Sequence, residues 1–365
     1  MDTCLQALIE RIRAAAASAT PLVIRGGGSK DFYGGPAQGE LLSTAPLAGI
    51  TSYEPTELVV TLRAGTPLAE LEAVLAERGQ CLPFEPPHFS GKPTVGGMIA
   101  AGLSGPARAS VGPVRDYVLG LTMVNGRGEL LTFGGQVMKN VAGYDVSRLM
   151  AGAMGTLGLI VEASLKVLPV APAEATLKFA MSQAQALQQL HAWGGQPLPL
   201  NASCWVDNAG EHTLYIRLRG AIAAVDAACR TMGGERQDNT KVAPDWSLCR
   251  DQQLPWFAEL GERDLWRLSV PQTAPVLDLP ESPLIEWHGG QRWVRAQAGD
   301  AQRLRETAAV AGGHAALFRA NNGQAARAGG MIISQNPPLD RISAELKRQF
   351  DPAGIFNRGR MFPAF

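Results

Sequence analysis

Cysteine and histidine are scarce in this 365-residue sequence, with five of each, and neither type is clustered. No C-x-x-C pair and no H-E-x-x-H occurs, so local spacing indicates neither a disulfide framework nor an iron–sulfur or zinc site. Any metal would need ligands brought together by the fold, and we expect none. The scattered residues are Cys4, Cys81, Cys204, Cys229 and Cys249, and His88, His191, His212, His288 and His314.

The sequence also lacks an excess of charge of either sign and a long apolar run. Lysine plus arginine equals aspartate plus glutamate at 33 each, which leaves no basic surplus for nucleic-acid phosphates. The sequence contains no run of about 18 apolar residues, so it predicts no transmembrane helix. Asp2, Glu10, Arg11 and Arg13 place charges where a signal peptide is apolar. We therefore expect a cytoplasmic protein that binds no nucleic acid.

The length and the 46% hydrophobic content allow a substantial core divided between two domains. Pro169 and Pro172 mark a boundary, so we predict one domain over residues 1–172 and a smaller α/β domain over 173–335. A C-terminal segment, 336–365, would begin with a helix at 339–350. In the second domain, strand-like runs at 214–218, 265–270 and 293–296 alternate with helix-like runs at 183–192, 221–232 and 301–310.

The first helix and strand lead directly into a glycine-rich loop. Residues 2–19 place Leu5, Leu8, Ile9 and Ile12 on one helical face, and Leu22-Val23-Ile24 predicts a short buried strand. Arg25-Gly26-Gly27-Gly28-Ser29-Lys30 follows, with no helix after it. Three consecutive glycines leave backbone N–H groups unobstructed, so the loop can form a nest for a phosphate. A flexible turn is the alternative interpretation.

The glycine loop matches neither of two common nucleotide-binding motifs. G-x-G-x-x-G starting at Gly26 would need glycine at Asp31, and a Walker motif would need serine or threonine after Lys30. At Gly27 we expect a positive φ, which a β-branched residue would oppose.

Two other regions of the first domain have clear patterns. The run of small residues at 94–102 suits close approach of the backbone to a flat group. Asn125-Gly126 lies between β-rich runs at 117–124 and 129–133 and predicts a hairpin, and residues 157–168 predict another strand.

Four glycine-rich segments occur in the first domain, at 25–30, 94–102, 112–117 and 155–158. In order and spacing they resemble the PCMH-type (vanillyl-alcohol-oxidase-type) FAD-binding family over about residues 20–170. Residues 355–360 are similar to the closing N-P-G-R motif of that family, although Arg358 stands where the motif often has proline. Residues 138–152 and the short overall length resemble the smaller FAD-binding subunits of the glycolate oxidase and D-lactate dehydrogenase family. The resemblance implies an α+β fold, with a two-lobed FAD-binding domain and a smaller α/β cap.

The resemblance also implies bound FAD and assigns residues to it. Relatives with covalent flavin have a histidine where Ser29 stands, so we expect non-covalent FAD. Catalytic residues are not identified, and the candidates are His88, Lys139 and Arg360. The structural interpretation is the stronger one for His88. Lys139 in a solvated turn and Arg360 as a surface charge are the alternatives for the other two. The residues assigned to FAD are Arg25, Gly26, Gly27, Gly28, Ser29, Lys30, Thr94, Gly96, Gly97, Gly102, Asp116, Gly155, Ile160, Val161, Asn357 and Arg360.

Three functions remain open at this point. The first is the FAD-binding subunit of a glycolate oxidase complex that oxidises small 2-hydroxy acids, with a second FAD-binding subunit and an iron–sulfur subunit as partners. Its place would be cytoplasmic or peripheral at the inner membrane through that complex. The second is a non-catalytic FAD-binding or structural subunit, because the second domain shows no histidine cluster. The third is a stand-alone flavin enzyme with an unrelated substrate.

Overall fold

The computed structural model describes residues 2–36, 38–89, 91–135, 145–321 and 337–362. Helices and strands are interspersed along the described residues. The helices are α1 (Thr3–Ser18), α2 (Leu68–Ala76), α3 (Val95–Ala101), α4 (Arg108–Val111), α5 (Val146–Met150), α6 (Gln183–Gly194), α7 (Ile222–Met232), α8 (Asn239–Arg250), α9 (Pro255–Ala258), α10 (Ala301–Val310) and α11 (Pro337–Phe350).

The described strands form two large sheets and two small ones. The N-terminal strands are β1 (Leu22–Arg25), β2 (Glu40–Ser43), β3 (Ile50–Glu54), β4 (Val59–Arg63), β5 (Gln80–Cys81), β6 (Val118–Val124), β7 (Leu130–Gly134), β8 (Leu159–Lys166) and β9 (Leu168–Pro169). The later strands are β10 (Ala173–Ala180), β11 (Leu200–Asn208), β12 (Glu211–Gly220), β13 (Glu235–Arg236), β14 (Asp264–Ser269), β15 (Leu284–Glu286), β16 (Gln291–Ala296) and β17 (His314–Arg319).

A five-stranded antiparallel sheet, in the order β3-β4-β8-β6-β7, organises the N-terminal part. Asn125 closes the predicted β6–β7 hairpin: its side-chain oxygen accepts from the backbone N–H groups of Arg127 and Glu129. One face of the sheet packs on α2 and α3 through apolar residues such as Leu62, Leu71 and Ile99. The hairpin and the long strand predicted at 157–168 are both confirmed.

The helix α1 lies over a second core that joins both ends of the described chain. Asp2 caps the helix by accepting from the backbone N–H of Cys4, and the apolar face predicted from the sequence is buried. β1 pairs in parallel with β2, and Leu22 of β1 also forms a parallel bridge with Phe356. The C-terminal segment therefore completes the edge of the sheet from which the glycine loop departs.

An eight-stranded sheet, in the order β13-β10-β12-β11-β15-β16-β14-β17, forms the cap. The helix and strand positions predicted between residues 183 and 310 agree with the structure, and every pairing in the sheet is antiparallel. Alternating helices and strands thus form an antiparallel rather than a parallel sheet here, because β11–β12 and β14–β16 pair as neighbours without a crossover helix between them.

A buried ion-pair cluster connects the two parts of the fold. Glu85 accepts two hydrogen bonds from Arg217 on β12, at 2.6 and 2.7 Å, and a third from Arg219 at 2.9 Å. Only 2% of the Arg217 side chain is exposed, and the two arginines hold the pKa of the Glu85 carboxyl below its usual value against the opposing effect of burial.

Among the helices that the structure describes, none is long and apolar enough to cross a membrane.

Candidate functional site

A cavity of about 420 Å³ opens where β1 ends, and the glycine loop forms one wall of it. The start of α3, the loop around Met154 and the C-terminal segment form the others. Many of the residues that the sequence assigned to one site are thus brought together by the fold. Those that line the cavity are Arg25, Gly26, Gly27, Gly28, Ser29, Lys30, Thr94, Gly97, Asn357 and Arg360.

At each of the three glycines of the loop, a Cβ would collide with neighbouring atoms. A Cβ on Gly26 would lie 2.2 Å from Thr94 Oγ1, and a Cβ on Gly27 would lie 1.5 Å from the carbonyl oxygen of Lys92. Only Gly28 has a positive φ, +74°, so the expectation of a positive φ at Gly27 is wrong. The backbone at Lys92 leaves no space for a side chain on Gly27, whereas the dihedral angles of Gly27 itself would allow one.

The loop can receive an anion through its backbone. Among the hydrogen bonds of the described residues, none is donated by the backbone N–H of Gly27, Gly28 or Ser29. Lys30 lines the same cavity, and burial lowers its pKa to about 8, with the Asp251 carboxylate opposing the shift. Arg25 is half-exposed and forms an ion pair with Asp31 at 2.5 Å. These donors and cations fit the pyrophosphate of FAD.

The C-terminal segment holds the loop in place. Asn357 is buried, its side-chain oxygen accepts from the Ile24 backbone N–H at 2.7 Å, and its amide nitrogen donates to Met154 O at 2.7 Å. Arg360 donates to the carbonyl oxygens of Lys30, Asp31 and Gly35 at 2.9 to 3.2 Å. Arg360 is thus bound to the loop backbone and is not simply a surface charge.

The small-residue run forms the floor of the cavity. Thr94 caps α3 by accepting from the Gly97 backbone N–H at 3.2 Å, and this short helix presents Ala100 and Ala101 to the cavity. Small side chains leave room for a flat group against the helix.

Other residues assigned to FAD lie outside the lining of this cavity. A Cβ on Gly96 would lie 2.6 Å from the Ala64 Cβ, so Gly96 serves packing of α3 on the sheet. Gly102, with a φ of +65°, ends α3, and Asp116 forms an ion pair with Arg148 at 3.1 Å. The residues outside are Gly96, Gly102, Asp116 and Gly155, with Ile160 and Val161 buried in the two N-terminal cores. Their roles toward FAD stay predictions.

The histidine candidate, His88, does not line the cavity and forms its contacts with other residues. His88 Nε2 lies 2.9 Å from a carboxylate oxygen of Glu72, and its backbone N–H donates to Asp251. His288 hydrogen-bonds to Ser110 and Ser203, and burial lowers its pKa to about 4. The third candidate, Lys139, lies outside the described residues, as does the first part of the 138–152 motif, residues 138–144.

Sequence reasoning missed Tyr33 and Met154, which both line the cavity. The Tyr33 ring lies 4.9 Å from that of Phe318 on β17, and its hydroxyl accepts from Arg267 of β14 at 3.2 Å. Tyr33 therefore connects the cavity to the cap. Its only sequence signal was its position three residues after Lys30, which is too weak to assign a role.

Comparison with known proteins agrees with this geometry. A family profile described as an FAD binding domain matches residues 3–134. Glycolate oxidase subunit GlcE of Escherichia coli (strain K12) is 46% identical over 358 residues, 98% of this chain and 97% of that protein. D-2-hydroxyglutarate dehydrogenase of Xanthomonas citri pv. viticola is 33% identical over 278 residues, 72% of this chain and 57% of that protein. A solved alkyldihydroxyacetonephosphate synthase shares the fold, with a TM-score of 0.66 at 15% identity, over 96% of this chain and 75% of that one.

The fold, the loop geometry and these matches define a FAD-dependent oxidoreductase with a PCMH-type FAD-binding domain and a cap. Within that class, the chain belongs to the family of glycolate oxidase subunit GlcE.

Proposed function

We propose that this chain is the FAD-binding subunit of a complex that oxidises 2-hydroxy acids such as glycolate to 2-oxo acids and passes the electrons to an iron–sulfur subunit. The observation that carries the proposal is the 46% identity to GlcE, which extends over 97% of that protein. A second FAD-binding subunit would be the other partner. Subunit GlcD of Bacillus subtilis is 33% identical to this chain over 160 residues, which supports a complex of two related chains.

The residues of the cavity bind and orient the cofactor. The N–H groups of Gly27, Gly28 and Ser29 and the Lys30 ammonium would hold the pyrophosphate, and Arg360 keeps that loop in position. A bound FAD supplies an acceptor for the hydride that leaves carbon 2 of the substrate. The hydroxyl proton then needs a base, and a cation must hold the carboxylate.

The electrons need a route out of the chain. Five scattered cysteines give no ligand set for an iron–sulfur cluster by local spacing, which supports a separate subunit for that step. We propose a cytoplasmic location, peripheral at the inner membrane through the complex. The isolated chain is expected to show little steady-state reduction of a dye by glycolate, and activity is expected when the partner subunits are added.

The alternative is an accessory subunit that binds FAD without oxidising the substrate. It is favoured by the engagement of His88 with Glu72 and of His288 with two serines. Anaerobic mixing of the FAD-loaded chain with glycolate or D-lactate separates the two. Rapid bleaching of the flavin supports oxidation at this chain. No bleaching of this chain's own flavin, although the assembled complex oxidises glycolate, supports the accessory role.

Non-covalent binding of FAD is tested by acid precipitation. Ser29 is nearly buried and has a hydroxyl where covalent relatives have a histidine, so no side chain at this position can form the flavin bond. All of the yellow chromophore should therefore appear in the supernatant. Flavin that stays with the denatured pellet would contradict this expectation.

A further inference from the structure

A second cavity, of about 520 Å³, lies between the N-terminal part and the cap and is lined by three arginines. Arg108 comes from α4, Arg115 from the turn after it, and Arg267 from β14 of the cap. The described residues that line this cavity include no aspartate or glutamate. We call it the arginine cavity.

The charges of the arginine cavity are poorly neutralised. In the described part of the chain, neither Arg108 nor Arg267 forms an ion pair, and the buried Nε of Arg267 has no hydrogen-bond partner. Burial lowers the pKa of Arg108, and the charges of Arg267 and Arg115 lower it further. Asp116 opposes this effect, but its carboxylate already pairs with Arg148. Guanidinium groups held close together without an anion attract one from solution.

The arginines are held in fixed positions by aromatic rings. The Arg108 guanidinium lies 4.3 Å from the centre of the Trp287 ring, and that of Arg267 lies 5.6 Å from the Phe318 ring. Trp287 is itself anchored by donation from its indole nitrogen to Gly105 O at 3.0 Å. Such stacking orders the side chains before a ligand arrives, which lowers the entropy lost on binding.

The arginine cavity lies beside the first cavity, at the end of β1, which we call the FAD cavity because we propose that FAD binds there. Gly102 lines the arginine cavity, whereas Ala100 and Ala101 of the preceding helix line the FAD cavity. Arg267 donates to the hydroxyl of Tyr33, and Tyr33 lines the FAD cavity. An anion held by Arg267 would therefore lie one side chain away from the cofactor site.

We propose that Arg108 and Arg267, with Arg115 at the rim, bind the carboxylate of the small 2-hydroxy acid. This inference rests on the proposed function for the identity of the ligand, and on the geometry for the presence of an anion site. The guanidinium plane matches a carboxylate with two parallel hydrogen bonds, and the unpartnered Arg267 Nε is one donor of such a pair. His314 lines the same cavity, and burial together with Arg267 lowers its pKa, so it adds no further positive charge at neutral pH.

The experiment measures binding without turnover. Oxalate carries a carboxylate and no C–H bond, so it cannot be dehydrogenated, and glycolamide is the neutral analogue of glycolate. Isothermal titration of the FAD-loaded chain should show oxalate binding and no glycolamide binding. Arg108→Gln and Arg267→Gln should each weaken oxalate binding at least tenfold, and Arg115→Gln, at the exposed rim, about threefold.

Controls separate loss of the site from loss of the fold. Arg303→Gln removes an exposed arginine of the cap that pairs with Asp278, and it should leave oxalate affinity unchanged. Arg267→Lys keeps the charge and should retain part of the binding. FAD content and the unfolding temperature should match the wild type in each variant. If Arg267→Gln does not fold, the exposed Arg115→Gln variant still tests the site.

Failure of this inference can be told from failure of the proposed function. No oxalate binding, or equal affinity in the wild type and in the three glutamine variants, would overturn the carboxylate site. Oxalate binding that depends on the arginines, in a complex that does not oxidise any 2-hydroxy acid, would overturn the proposed function and leave an anion site. Glycolate oxidation that is unchanged in Arg267→Gln would overturn the inference alone.

Discussion

Gly27 faces the carbonyl oxygen of Lys92 so closely that a methyl group cannot fit between them. We predict that Gly27→Ala shifts the loop and lowers the affinity for FAD at least tenfold while the fold survives. Gly299→Ala is the matched control, because a Cβ there meets no atom within 4 Å. Flavin content from absorbance and a fluorescence titration of the stripped protein measure the effect. Equal affinity in the two variants would mean that the loop does not hold the cofactor.

We predict that Lys30 makes FAD binding depend on pH. Its pKa of about 8 in the absence of an anion means that the ammonium loses its proton above that pH. A bound pyrophosphate favours the charged form and raises this pKa, so the affinity is full below pH 8 and falls as pH rises through 8, by at most about tenfold per unit. Lys30→Arg keeps its charge throughout and should remove the slope between pH 7 and 9.5. A wild-type affinity that does not change over this range would contradict the prediction.

Single residues of the loop were partly predictable from the sequence. Three glycines after a strand indicate a nest, because the absence of Cβ is a local property. The contact of Gly27 with Lys92 and the hydrogen bonds of Arg360 to the loop join residues far apart in the chain. No local pattern encodes such contacts, and the same holds for the approach of Tyr33 to Arg267.

The helix α11 is fixed to the molecule by a buried ion pair. Lys347 donates to Asp351 at 2.7 Å and to the carbonyl oxygens of Thr156 and Phe356 at 2.8 Å each, and its side chain is 5% exposed. We predict that Lys347→Met lowers the free energy of unfolding by about 3–5 kcal/mol, because the Asp351 carboxylate would be left buried without its cation. Arg348→Met, on the exposed side of the same helix, should cost less than about 1 kcal/mol.

Chemical denaturation measures both variants. The Lys347→Met variant should also lose FAD affinity, since Asp351 accepts from the backbone N–H groups of Ile355 and Phe356 and so positions the segment that carries Asn357. A change of less than about 1 kcal/mol in Lys347→Met would show that the pair is not required.

Helices and hairpins were predictable wherever periodicity and turn chemistry act locally. α1 has the apolar face that its sequence spacing predicts, and Asn125-Gly126 closes the hairpin of β6 and β7. The strand order of the cap was not predictable. β15 pairs with its sequence neighbour β16 on one side, but on the other side it pairs with β11, far away in the chain, where Cys204 lies opposite Glu286. Periodicity gives the strands but not their partners.

Glu85 connects the two large parts of the molecule through Arg217 and Arg219. We predict that Glu85→Gln destabilises the protein by about 3–5 kcal/mol, because Arg217 would be buried with no opposite charge from Glu85. Glu211→Gln removes an exposed partner of Lys178 and should change stability by less than about 1 kcal/mol. Thermal and urea unfolding measure both. If the two variants unfold alike, the cluster does not hold the cap to the N-terminal part.

The anchoring of β1 by Asn357 sets an order for the biogenesis of the holoprotein. Ile24 and Asn357 are 333 positions apart. At a synthesis rate of about 5–20 residues per second, Asn357 is synthesised on the order of 20–70 s after the glycine loop. A ribosome-bound chain halted at residue 300 carries the loop and most of the cap but lacks Asn357 and Arg360. We therefore predict that FAD binds only after Asn357 and Arg360 have been synthesised, so a stalled nascent chain of this length should carry no flavin.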